Sequence, residues 1–187
     1  MEFCSSDDTM LSAAAGQSDW SAAPLSALIA HIVSVHHGYL KLELPLIQKR
    51  LEAVYTTHRE RNAATLAPLP GILFLMTDEL RLHMHKEERT LFPAIEESEQ
   101  AAKGEYLPSA HWGTLANPIF AMFAEHESVE SSLDQIRRIT RNYELPPHAC
   151  EPYQALFQGF EELEREIHAH MDLENKILFP RALALQP

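Results

Sequence analysis

The chain is short of glycine, cysteine, basic residues and long apolar runs, and each shortage removes a class of protein. Six glycines in 187 residues, with no β-branched runs, do not suit the turn-rich frameworks of all-β folds. Cys4 and Cys150 are the only cysteines and stand far apart with no CxxC spacing. That excludes a disulfide framework and a zinc finger, and it leaves no thiolate set for an iron–sulfur cluster held by this domain. Cys150 reads as a packing residue and Cys4 as an exposed thiol. Fifteen Lys and Arg against 27 Asp and Glu give a formal charge of −12, which argues against nucleic acid or an anionic membrane as partner. Apolar runs such as ILFLM at 72–76 are far shorter than a membrane span. The opening MEFCSSDDTMLSAAAGQSDW has neither a basic start nor an apolar core. Residues 1–23 therefore read as a flexible leader rather than a secretion signal, and the expected location is cytoplasmic.

What the chain does have is helical period. Hydrophobic residues make up 45% of it, enough for one core in one domain, here assigned to 24–187. Apolar residues recur at i, i+3, i+4 and i+7, so the fold is expected to be all-α. A first helix should start near Pro24, with Ser21 as candidate cap, and run toward His58 with a kink at Pro45. A second should span about Gly71 to Ala101, a third about Trp112 to Tyr143, and a fourth about Glu151 to near Phe179. The loops left over, 59–70, 102–111 and 144–150, are short enough for antiparallel neighbours. The expected architecture is an up-down-up-down four-helix bundle, with helices about 45 Å long.

The second and fourth helices share a block. His83, Glu87 and Leu91-Phe92-Pro93 recur as His170, Glu174 and Leu178-Phe179-Pro180 at identical offsets. His37 precedes His83 by 46 residues and His126 precedes His170 by 44, so the chain reads as two copies of one helical hairpin. A single His-xxx-Glu on a helix is ordinarily a surface pair. The repeated block, with a partner histidine at matching separation in each half, points instead to metal. Residues four apart share a helix face, so His83 with Glu87 and His170 with Glu174 each present an imidazole and a carboxylate together. Four histidines could give two nitrogens to each of two ions while Glu87 and Glu174 bridge them. A solvent-derived oxygen bridge would leave one position open on each metal for a small ligand such as dioxygen or nitric oxide. The donor set suits iron, and also zinc, copper or manganese by softness alone. It differs from the ferritin type, in which carboxylates outnumber histidines.

The Leu-Phe-Pro segments read as core anchors and helix stops. His36 points about 100° away from His37 and is its rival. His31, His85, His111, His148 and His168 read as structural or solvent-facing, and Glu130, four residues after His126, is an alternative ligand only. An unbroken helix would put His58 about 31 Å from His37, too far for one site. Glu79, one turn before His83, and Glu125, beside His126, are candidates for orienting a ligand or carrying protons.

The segments HHGYLKLELPLI, HMHKEERTLFP, AEHE and HMDLENKILFPRALA, from about Leu25 to the C-terminus, resemble the hemerythrin-like di-iron proteins. Within these they resemble the iron–sulfur cluster repair (repair of iron centres) group that answers nitric oxide and oxidative stress. The resemblance implies two non-haem, oxo-bridged iron ions held by His37, His83, His126 and His170, with Glu87 and Glu174 as bridges. It also implies a histidine at His58 and acidic residues near the iron at Glu79 and Glu125. Repair-type members carry a small N-terminal domain with an adjacent cysteine pair, whereas the residues before Leu25 offer only Cys4. The expected function is binding of nitric oxide or oxygen at the di-iron site in support of cluster repair, with iron–sulfur proteins or a cluster scaffold as partners. The alternatives are a gas sensor, buffer or carrier, and a di-iron nitric oxide or peroxide reductase with Glu79 or Glu125 as proton donor.

Overall fold

The computed structural model describes residues 19–104, 114–147 and 149–185. Most of the expected leader, together with Cys4, His111 and His148, lies outside the described residues. Four long helices carry the fold: α1 over 25–58, α3 over 69–102, α4 over Ala116–Ile139 and α5 over 151–183, with the single turn α2 at Ala63–Leu66. Helix α1 packs against α3 and α5, and α3 packs against α4. The bundle is the all-α, up-down-up-down arrangement expected from the periodicity.

The ends of the helices differ instructively from expectation. Ser21 does not cap α1; its hydroxyl and amide donate to Asp19. The first amides of the helix, on Leu25 and Ser26, donate instead to the Glu99 carboxylate at 2.8 and 3.2 Å. A buried acid from α3 thus satisfies donors that sequence reasoning assigns to a local cap. Pro45 sits inside α1 without ending it. Nor do the Leu-Phe-Pro segments stop their helices. Each is preceded by one widened turn, Glu87–Leu91 and Glu174–Leu178, closed by bonds from Phe92 N–H to the Glu87 carbonyl and from Phe179 N–H to that of Glu174. A proline cannot donate to the residue four back, and an i→i−5 turn lets the chain absorb that loss and continue. Helix α3 runs on to Ala102 and α5 to Leu183.

The core is divided in two. One apolar cluster includes Leu25, Ile32, Phe92, Ile119 and Phe179, and the other includes Leu40, Leu80, Val129, Phe160 and Ile167. Between them, at mid-height, each of the four long helices turns at least one polar residue inward. Ala63–Ala102 is long and apolar enough for a membrane span by length and composition alone, yet its buried positions include Thr77, His83 and Glu87, the pattern of a bundle helix.

Candidate metal centre

Six polar residues make up this middle layer: His37 from α1, His83 and Glu87 from α3, His126 from α4, and His170 and Glu174 from α5. All are at most 4% exposed. They form two overlapping groups, His37–Glu87–His170–Glu174 and His83–Glu87–His126–Glu174, and in each group one donor atom per residue lies within 4.8 Å of all the others. The structure therefore brings together the six residues singled out in the sequence, with both glutamates shared.

Helix geometry explains the convergence. A third widened turn, Ile32–His37, ends at His37, as the other two begin at Glu87 and Glu174. Widened turns displace the side chains around them relative to an ordinary helix and recur at functional sites. All four imidazoles aim Nε2 inward. The Nε2 atoms of His37 and His170 are 3.1 Å apart, as are those of His83 and His126. His170 Nε2 lies 2.9 Å from Glu174 Oε1 and His126 Nε2 lies 3.2 Å from Glu174 Oε2. His37 and His83 approach Glu87 Oε2 at 3.4 and 3.3 Å, near enough to attract but not directed along a hydrogen bond.

Three of the four outward Nδ1 atoms are held by a side-chain partner, and in two of them, His37 and His126, that partner is the residue directly after a shared glutamate. His37 Nδ1 lies 2.8 Å from Glu88 Oε1, which also accepts from Lys41 Nζ. His83 Nδ1 lies 3.0 Å from Glu125 Oε2, whose other oxygen accepts from Lys86. His126 Nδ1 lies 2.8 Å from Asn175 Oδ1. A carboxylate or amide behind an imidazole fixes its tautomer and turns the other lone pair toward a cation. Phe92 stacks on His37 and Phe179 on His126, so the Leu-Phe-Pro segments also hold the imidazole planes.

The electrostatics of the layer follow from its burial. Both oxygens of Glu87, Glu174 Oε2 and His170 Nδ1 are buried with no hydrogen-bond partner among the described residues. A buried charge without a partner costs several kcal/mol, in the order of magnitude usual for such groups. Burial opposes charging His83, but Glu87, Glu174 and Glu125 around it outweigh this and raise it to about 9. The same contest, with Glu174 the chief attraction, raises His170. Burial pushes Glu174 up, and His170 and His126 pull it down further, so it stays ionised. Four imidazoles and two carboxylates converge in one buried layer, and the six residues fit a metal pair in donor type and placement.

A family model for the hemerythrin HHE cation binding domain matches residues 28–182. The chain belongs to the hemerythrin HHE family. Among its curated relatives is the iron–sulfur cluster repair protein YtfE of Yersinia pestis (strain Pestoides F), 36% identical over 165 residues, which are 88% of this chain and 69% of that protein. The same-named protein of Cronobacter sakazakii (strain ATCC BAA-894) is 34% identical over 168 residues, 90% of this chain and 70% of its own length. The chain is thus a hemerythrin-type bundle, similar to cluster repair proteins, whose His/Glu cluster could hold a metal.

The other sequence candidates divide. Glu125 backs His83, but Glu79 is exposed and accepts from Ser128 rather than from a histidine of the cluster. Glu130 pairs with His168, and His36 is bonded to Glu166 at 2.6 Å, so neither joins the two groups. His85 is exposed, and His31 packs against the Trp20 ring at a 31° tilt. His58, at the far end of α1, lies beside Cys150. Sequence reasoning missed Glu88, Lys41, Lys86 and Asn175. The available signal was spacing, since Lys41 follows His37 by four and Glu88 and Asn175 directly follow the two glutamates.

Proposed function

We propose that the chain holds two non-haem iron ions and serves the nitrosative and oxidative stress response by supporting iron–sulfur cluster repair in the cytoplasm. His37 and His170 would hold one ion, His83 and His126 the other, with Glu87 and Glu174 bridging. The observation that carries the reading is the pair of buried four-residue groups sharing two carboxylates, three of whose four oxygens have no hydrogen-bond partner among the described residues. When bound there, a redox-active metal pair with an unfilled coordination position supplies a site for nitric oxide or dioxygen. The protein's own part is to position. Glu88 and Glu125 hold the Nδ1 protons of His37 and His83, which leaves the Nε2 lone pairs facing inward. The apolar layers above and below exclude bulk water, which strengthens every charge interaction between them. The name of the YtfE relatives supports iron–sulfur proteins as the partners.

Metal analysis of protein purified from iron-supplemented cells should give about two irons per chain with four-histidine ligation. Zinc alone, or no metal, would defeat the reading. Incubation with an apo cluster scaffold tests the repair role separately: iron should leave the chain, and its full retention would leave a gas-binding protein without a donor function.

A further inference from the structure

His58 and Cys150 were left over by the metal reading, and the structure places them together. His58 Nε2 lies 3.0 Å from Cys150 Sγ. The imidazole stands edge-on to the Tyr153 ring, with centroids 5.5 Å apart at 74°, and Tyr153 is 1% exposed, so a buried side chain fixes the ring plane. Cys150 is half-buried and is a free cysteine among the described residues. It directly precedes α5, and its carbonyl accepts from the amides of Tyr153 and Gln154, which fixes its backbone. The pair is remote from the metal centre. Gly38–His58 is one uninterrupted helical stretch, so about 30 Å of helix separates His58 from His37.

A thiol within reach of an imidazole that is itself oriented by a third group is the arrangement of an activated nucleophile. Neither the cysteine nor the helix end makes this a site; the base in contact with the sulfur does. We propose that Cys150 and His58 form a second reactive site, in which the thiol exchanges with a low-molecular-weight disulfide and becomes reversibly capped. The Sγ proton passes to His58 Nε2 as sulfur bonds to one sulfur of the disulfide. The disulfide bond breaks with its electron pair on the departing sulfur, which takes the proton from His58. Cys150 ends as a mixed disulfide and the leaving half as a free thiol, so oxidation and reduction balance without a further reagent. The site depends on no bound metal and stands independently of the proposed iron function.

The test uses the full chain with Cys4→Ser, which leaves Cys150 as the sole thiol. Its reaction with dithiodipyridine at pH 7 is followed by absorbance, and capping by oxidised glutathione is followed by intact mass. Cys150 should react at least about ten-fold faster than N-acetylcysteine, and His58→Gln and His58→Phe should each remove at least about ten-fold, on the scale of general-base assistance. Gln keeps a hydrogen bond to sulfur but cannot take its proton, so an unchanged rate in His58→Gln overturns the proposal. A Cys150 rate at or below that of N-acetylcysteine also overturns it, and this comparison stands even if both His58 variants fail to fold.

Discussion

Because Glu87 and Glu174 belong to both four-residue groups while each histidine belongs to one, removing a glutamate and removing a histidine should have different consequences. Consider Glu174→Gln. The side chain is 0% exposed, with His170 at 2.9 Å on one oxygen and His126 at 3.2 Å on the other. The amide keeps the size but offers only one acceptor and no charge, so both of the proposed ions would lose an anionic ligand. His126→Ala takes a ligand from one group alone. Metal bound only by the folded state, at about a hundredfold above its dissociation constant, adds about 2.7 kcal/mol per site. Two sites therefore add about 5 kcal/mol, and at about 2–4 °C per kcal/mol for a chain of this size the melting temperature should rise by roughly 10–20 °C. Calorimetry of apo-protein titrated anaerobically with ferrous iron would read this increment. The parent should show all of it, His126→Ala about half, and Glu174→Gln little of it. A Glu174→Gln protein that still binds one iron with the parent's affinity, or keeps the full increment, would refute the shared-carboxylate reasoning.

Glu88→Gln and Glu125→Gln should each weaken metal binding by about 10–100-fold in competition with a chelator, because each removes the anion behind a ligand imidazole, whereas Glu79→Gln should leave affinity unchanged. Away from the His/Glu cluster, Arg141, Asn142 and Tyr143 adopt left-handed backbone angles, and Tyr143 Oη donates to Glu164 Oε2 at 2.8 Å. Tyr143→Phe should cost about 1 kcal/mol in urea unfolding, since Glu164 keeps Arg137. Burial first, then Glu164, raises the Tyr143 ionisation above its ordinary 10. A raised folded-state value favours the protonated form, so this contribution is complete below about pH 10 and is lost as pH climbs through the folded-state value. The stability gap between parent and Tyr143→Phe should accordingly shrink above pH 10, and a gap that widened there would contradict the assignment.

Helical period, the duplicated block and the residue types were enough to read four helices and six inward-facing donors, because both signals are local: a 3.6-residue repeat and a four-residue spacing survive in any sequence that forms these helices. Where spacing stopped being local, the sequence fell silent. The cap on α1 comes from Glu99, 74 residues from Leu25, and no nearby residue encodes it. The prolines were legible but their effect was not, since a proline ends a helix or widens it according to what packs around the turn. Glu79 and Glu125 looked equivalent along the chain, and only the azimuth of α3 against α4 turned Glu125 toward His83 and left Glu79 facing Ser128. His58 was correctly too far from His37 for one site, yet its contact with Cys150, 92 residues away, exists only because α1 and the start of α5 meet at the same end of the bundle. The sequence by itself determined which residues could hold cations and on which helix faces they lie. Tertiary packing decided which atoms converge, which are left without partners, and therefore where the chemistry can occur, because those depend on the relative height and rotation of helices that no local pattern records.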